Sequence, residues 1–304
     1  MNTQVEAWFE RAYIKGATHV LQSRGFLLKG TTRDPDRVQA KEVRWRIAGR
    51  GEAEEMSDTV EDAKVMNAGR DYVDGTLKDY QAAEYMRHPD LNKMSENEQG
   101  VIQTTGARAL GRKFDNVHFE EFDGQAANIA TIGDGSTHIS IMDVREGEDD
   151  ILGEGVNDLT EMFCPLPAYA FSQLMLWKQF SSSDYNGPDY PLAKMTERRK
   201  WGSVTYFKAP NELFTYDTGR GKDAWRTATW FQSYMWLKSC VGFATNYEMQ
   251  SRITWENPKT AWFFNNWMPA CVKTILPAGV KRMKFLFTPA TIAGVTEPAA
   301  YDPS

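Results

Sequence analysis

The stretch KEVRWRI (41–47), with AGRGEAEEMSDTVEDAKV (48–65) behind it and RDYVDGTLKDYQAAEYM (70–86) beyond, decides how this chain is read. Val43, Trp45 and Ile47 alternate with Glu42, Arg44 and Arg46, the period-two pattern of a half-buried strand. The segment after it has two glycines and then a run of carboxylates, with little to bury. A new polar–apolar segment begins near Arg70. Residues 39–70 therefore read as a long hairpin-like loop leaving the body of the fold. A two-stranded ribbon alone in water is at best marginally stable, and its edges carry unpaired backbone groups that invite another chain. Arg44, Arg46 and Arg50 form a basic base; Glu52, Glu54, Glu55, Asp58, Glu61 and Asp62 form an acidic tip. Such a polarised arm suits a complementary neighbour, where charge sets register and excludes wrong partners. The plainer alternative is a solvated loop.

On the N-terminal side, Val5, Trp8, Phe9, Ala12, Tyr13 and Val20 recur at helical spacing and predict an amphipathic helix over 4–22. GFLLKGTTRDPDRVQA (25–40) is polar and broken by Gly25, Gly30 and Pro35, as an extended arm or linker would be. On the other side, residues 95–122 predict a long helix. Ser95 and Glu98 stand at capping-box spacing. Ile102, Ala109, Leu110, Phe114 and Val117 trace one face, with Arg108, Arg112, Lys113 and Asp115 mostly off it. His118 is expected at a surface or interface.

Gly133-Asp134-Gly135 is a turn signal between strand-like flanks. REGEDDILGEGVNDLT (145–160) is acidic, and its structure stays open. MFCPLPAYAFSQLMLWKQF (162–180) reads as a strand, Pro167 at a helix start, then a helix with Phe171, Leu174, Met175 and Trp177. SSSDYNGPDY (181–190) is a loop. Beyond 225 the chain is aromatic and strand-rich, with Trp225, Trp230, Trp236, Trp255, Trp262 and Trp267. Met283, Phe285 and Phe287 alternate with Lys284 and Leu286 in a terminal strand.

Composition narrows the function. The net charge of -6 argues against a dedicated nucleic-acid binder, though not against a wall that encloses nucleic acid. Cys164, Cys240 and Cys271 fit no zinc, redox or disulfide spacing and read as buried small hydrophobes in a reducing cytoplasm. No signal-peptide stretch and no apolar run of membrane-spanning length is present, so the expected site of assembly is the cytoplasm. His19, His88, His118 and His138 form no metal motif, and His138 reads as part of a polar turn. No nucleophile elbow, phosphate loop or dinucleotide fingerprint occurs. The expectation is no catalytic residue, no metal and no cofactor. The tryptophans read as core and interface, with a sugar- or base-stacking platform as the alternative.

Taken together, these pieces resemble the major capsid proteins of tailed bacteriophages with the Hong Kong 97-type fold, in a short-chain branch lacking a large cleaved N-terminal scaffold segment. HVLQSRGFLLKG (19–30) resembles the family's opening helix and arm. RDYVDGTLKDYQAAEYMRHPDLNKM (70–94) resembles the entry to the peripheral domain and leads to ARALGRKFDN (107–116), like the end of its spine helix. MFCPLPAYAFSQLMLWKQFSSSDYNG (162–187) resembles the axial-domain strand, helix and loop. SYMWLKSCVGFATNYEMQSRITWENPKTAWFFNNWMPACVKTILPAGVKRM (233–283) resembles the returning strands. One departure is the acidic 145–160 stretch, where relatives usually have a helix-forming segment.

The resemblance implies an α+β fold: N-terminal helix and arm over 1–38, extended β-hairpin loop over 39–70, peripheral domain with spine helix over 71–135, axial domain over 136–245, and returning strands with a tail over 246–304. It implies self-assembly as hexamers and pentamers into an icosahedral virion shell around double-stranded DNA, bound without sequence specificity. Implied partners are a scaffolding protein, a portal and decoration proteins, with assembly in the host bacterial cytoplasm and no membrane. Expected intersubunit contacts are Arg44, Arg46, Arg50, Glu52, Glu54, Glu55, Asp58, Arg108 and Arg112. The alternatives are an encapsulin-type nanocompartment shell and, from another class, a tryptophan-rich carbohydrate-binding protein or hydrolase.

Overall fold

The computed structural model describes residues 26–53, 55, 66, 68–87, 96–155, 161–177, 198–220 and 224–287. The expected N-terminal helix, the outer part of the 39–70 loop with Glu54 and Asp58, and the 181–190 loop lie outside the described residues.

The chain runs through β1 (Arg37–Gln39), β2 (Glu42–Ala48), β3 (Arg70–Thr76) and β4 (Lys78–Arg87) into a long helix, α1 (Glu96–Gly124). Next come β5 (Ala130–Ile132), α2 (Ile141–Gly153), β6 (Met162–Pro167) and α3 (Ala168–Met175). The strands β7 (Arg198–Trp201), β8 (Val204–Ala209), β9 (Thr215–Tyr216), β10 (Trp230–Leu237) and β11 (Val241–Ala244) follow. The series ends with β12 (Gln250–Glu256), β13 (Ala261–Thr274) and β14 (Val280–Leu286). These elements fall into two compact units. One comprises Met1–Val20, Asp34–Leu110 and Gly242–Ile275; the other comprises Leu21–Arg33, Gly111–Val241 and Leu276–Ser304.

In the first unit, β1, β2 and β3 form an antiparallel sheet. The alternation in KEVRWRI is realised as predicted: Val43 and Trp45 are fully buried while Glu42, Arg44 and Arg46 are exposed. A second sheet centres on β13, flanked by β4 along one side and by β12 and β11 along the other. Its covered face carries Met86, Ile253, Phe264, Asn266 and Met268. Gly106 of α1 lies so near that face that a Cβ there would sit 2.5 Å from Asn266 Nδ2. Helix and sheet approach this closely because position 106 has no side chain.

The second unit is built on a mixed sheet in the order β5-β14-β10-β6-β8-β7, with β9 against β10. Pairs β5–β14 and β6–β8 are parallel; the rest are antiparallel. The C-terminal half of α1 supplies Phe119 and Phe122, which meet Phe214, Tyr234 and Trp236 in an aromatic core. Met283, Phe285 and Phe287 are buried, as their alternation predicts. Pro167 precedes α3 as the N-cap residue, also as predicted.

The segment 26–33 is docked on the second unit. Leu28 is fully buried, and the Leu27 and Leu28 N–H groups donate to the Asp115 carboxyl at 3.3 and 3.1 Å. Trp236 Nε1 donates to the Thr31 carbonyl at 2.9 Å.

Three sequence expectations need correction. Asp115 is not off the apolar face of α1: it is 5% exposed, buried beneath the docked segment. His118 is not a surface residue: it is fully buried, with Nδ1 2.9 Å from the Phe114 carbonyl. Downstream of the Gly133–Gly135 turn there is no strand but α2, opened by a capping box between Ser140 and Asp143. That helix also covers the first part of the 145–160 stretch: residues 145–153 are helical, with Val144, Glu148 and Ile151 turned inward, and 156–160 lie outside the described residues. Glu148 accepts from the Ser203 N–H at 2.9 Å and from Arg145 at 2.8 Å, so this buried carboxylate has partners.

Candidate assembly surface

The base of the ribbon has two chemically opposite faces. Toward the interior, Val43 and Trp45 pack with Leu77, Ala244, Cys271 and Ile275, and Val38, Ile47 and Val73 close the edge of this cluster. That packing supplies what a lone two-stranded ribbon lacks. The other face is ionic. Register places Arg37 opposite Arg44, Arg44 opposite Asp74, and Arg46 opposite Tyr72.

Arg44 and Asp74 form a fork, Nε to Oδ1 at 2.6 Å and Nη2 to Oδ2 at 3.0 Å. The pairing holds the Asp74 carboxyl below its usual range and raises the Arg44 guanidinium. Arg44 also lies over the Tyr72 ring, 5.1 Å from its centre. Arg46 presents only its backbone N–H inward, donating to Asp36 Oδ2 at 2.8 Å. Asp36, Arg37, Arg44, Arg46 and Tyr72 enclose a shallow concavity of about 400 Å³.

The ladder continues outward past the last paired residues, with the Gly49 N–H donating to the Gly69 carbonyl at 2.6 Å. Arg50, Glu52 and Glu55 follow, all exposed. Of the other sequence candidates, Arg112 is exposed and faces Glu212 at 3.8 Å, while Arg108 is half-buried on α1. The structure thus gathers Arg44 and Arg46 on one face, joins Arg37 and Tyr72 to them, and leaves Arg108 and Arg112 in separate surroundings. Arg37 was missed because RVQ is too short to declare a strand inside a polar arm; its alternation with Val38 is the only signal.

The tryptophans are divided between the two units. Trp236 is fully buried, Trp230 lies under Lys284 Nζ at 4.2 Å, and Trp255 meets Trp262 edge-on across β12 and β13 at 5.1 Å. All three cysteines are free and buried. Among the described residues, no cluster of His, Cys, Asp or Glu is placed to hold a metal, and no helix is long and apolar enough to cross a membrane.

A family model for phage capsid proteins matches residues 5–286, nearly the whole chain. The chain belongs to the phage capsid protein family. Solved capsids agree at the level of fold. The mature capsid of bacteriophage PhiM1 superposes with a TM-score of 0.61 at 12% identity, covering 86% of this chain and 87% of that one. The capsid of Ralstonia phage GP4 gives a TM-score of 0.63 at 10% identity, covering 85% and 87%. A virus-like particle from Pyrococcus furiosus gives 0.54 at 9% identity, covering 92% and 100%. No curated protein matches. The capsid protein therefore has the mixed α+β, Hong Kong 97-type fold that the resemblance implied. Membership of this family makes it a structural protein of a phage shell.

Proposed function

We propose that this capsid protein is the major shell subunit of a tailed phage, assembling as hexamers and pentamers into an icosahedral container for double-stranded DNA. The observation that carries the reading is the ribbon of the first unit. Its inner face is fixed in a hydrophobic core, its outer face is charged and exposed, and Glu52 and Glu55 beyond the anchored base are exposed as well. An arm anchored in this way gains nothing for its own subunit by extending further; its extension serves a neighbour. Repeated contacts between copies of one sequence close into a finite shell when the symmetry closes. The mildly acidic chain encloses DNA without gripping phosphates.

In this reading 71–135 supplies the peripheral domain, 136–245 the axial domain and 246–304 the return, with contacts between copies through Arg44, Arg46, Arg50, Glu52, Glu54, Glu55, Asp58, Arg108 and Arg112. A scaffolding protein, a portal and decoration proteins complete the particle, which is built in the host cytoplasm. The experiment is expression of the chain with and without the scaffolding protein, followed by electron microscopy and sedimentation. Shells or capsomers support the reading; a persistent monomer at high concentration with scaffold present refutes it. A cellular compartment shell is the second reading, since the virus-like particle from Pyrococcus furiosus shares the fold as the phage capsids do; a protein cargo inside native shells, in place of DNA, would establish it.

A further inference from the structure

The ionic face at the ribbon base is not uniformly available. Arg44 is committed to Asp74 through both ends of its guanidinium. Asp36 accepts the Arg46 N–H. Arg37 Nη2 donates to the neutral Gln39 side chain at 2.5 Å. Among the described residues, neither Arg37 nor Arg46 has a carboxylate partner, and neither Glu52 nor Glu55 has a cation partner. The concavity therefore carries two unmatched guanidinium groups, and the same ribbon carries two unmatched carboxylates further out.

These charges do not meet within one chain. The Ala48–Arg70 pair and the Gly49–Gly69 hydrogen bond carry the ladder away from the concavity before Glu52 is reached. Glu52 stands six residues beyond Arg46 (52 − 46), up to about 20 Å of extended chain. A planar guanidinium binds a carboxylate through two parallel hydrogen bonds, so an arginine pair beside a Tyr72 wall is shaped for this group.

We infer that the Arg37–Arg46 concavity receives Glu52 and Glu55 from the ribbon of a second copy of the chain. This rests on the shell reading and deepens it: Arg44 braces its own ribbon, while Arg37 and Arg46 read the neighbour's. In a closed assembly every copy both gives the acidic segment and receives one, so all the surplus charge is matched.

The test uses the full chain in four forms: wild type, Arg37→Glu with Arg46→Glu, Glu52→Arg with Glu55→Arg, and all four together. The threshold concentration for shell formation is read by light scattering and checked by electron microscopy. Each reversal should raise the threshold about tenfold or more at low salt, and less at high salt, where exposed charges are screened. The four-fold variant should return to near the wild-type threshold. An unchanged threshold in either reversal, or no recovery in the combination, overturns the pairing while wild-type shells leave the shell reading intact. A wild type that forms no shells under any condition overturns both. All four positions are exposed, so circular dichroism should show the native fold in each form. As an independent measurement, Arg46→Cys with Glu52→Cys should give disulfide-linked multimers in assembled shells. The native thiols are buried and do not interfere; monomer alone on a non-reducing gel overturns the pairing.

Discussion

Trp45 lies against Gly242 so closely that a Cβ at position 242 would stand 2.4 Å from Cε2 and 2.5 Å from Nε1 of the indole. The ribbon is thereby keyed to the strand that opens the return of the chain into the first unit. The contact sits in the hydrophobic cluster of Val43, Leu77, Ala244, Cys271 and Ile275. Gly242→Ala should cost about 1–3 kcal/mol through overpacking, and Trp45→Ala about 3–5 kcal/mol through the lost burial and the void. Urea unfolding of the unassembled subunit measures both. A neutral Gly242→Ala would show that the indole has room to move.

Asp115 and His118 make opposite contributions to the pH dependence of stability. Burial raises the Asp115 carboxyl to about 7, above its ordinary 3.8. The folded state then binds more protons than the unfolded state between about pH 4 and 7, and this group's contribution falls as pH rises through that window. Burial lowers His118 to about 4 from 6.5, so the unfolded state binds more protons between about pH 4 and 6.5 and stability there rises with pH. The two slopes largely offset in the wild type. Asp115→Asn should unmask a rise in unfolding free energy from pH 4 to 6.5. His118→Phe should unmask a fall from pH 4 to 7. Denaturant titrations across that range test both, and parallel profiles for the two variants would refute the assignment.

Asp123, in the last turn of α1, ties together four side chains of the second unit. It accepts from Gln232 Nε2 at 3.0 Å and Thr215 Oγ1 at 3.1 Å, and also binds the Tyr234 hydroxyl and the Arg220 guanidinium. Tyr234 is fully buried and Gln232 nearly so. Asp123→Ala strands buried donors and should cost about 2–4 kcal/mol. Asp123→Asn keeps the shape and one acceptor and should cost less. Equal losses in the two variants would mean that packing, not hydrogen bonding, sets the effect.

The ribbon was legible in the sequence because its physics is local. KEVRWRI alternates over one short span, and a fully buried tryptophan between two exposed arginines leaves no second way to orient the strand. The terminal strand and the Pro167 helix start were legible for the same reason. Asp115 and His118 were not, because a polar residue on a helix reads as outward unless its partners are known. Those partners are backbone groups: the Leu27 and Leu28 N–H for Asp115, brought from 87 or more residues away, and the Phe114 carbonyl for His118. Helix α2 was hidden because HISI imitates strand alternation, while its start is set by Ser140 and Asp143, a box closed by Asp instead of the more usual Glu or Gln. At the ribbon base the sequence pointed to Arg44 and Arg46 as equals. Only the cross-strand register reveals that Arg44 stands between Arg37 and Asp74, while Arg46 faces Tyr72.

On the proposed reading, function resides in the segment beyond the anchored base of the ribbon. The hydrogen bond from Gly49 to Gly69 marks where the anchored base ends. Replacing the residues between 48 and 70 by a two-residue Asn-Gly turn should close the same ladder with the core cluster intact. Electron microscopy and sedimentation of this variant, expressed beside wild type with the scaffolding protein, is the direct measurement. The expected outcome is a folded subunit, with wild-type circular dichroism, that forms no closed shells. Shells of normal size and yield from the shortened chain would contradict it.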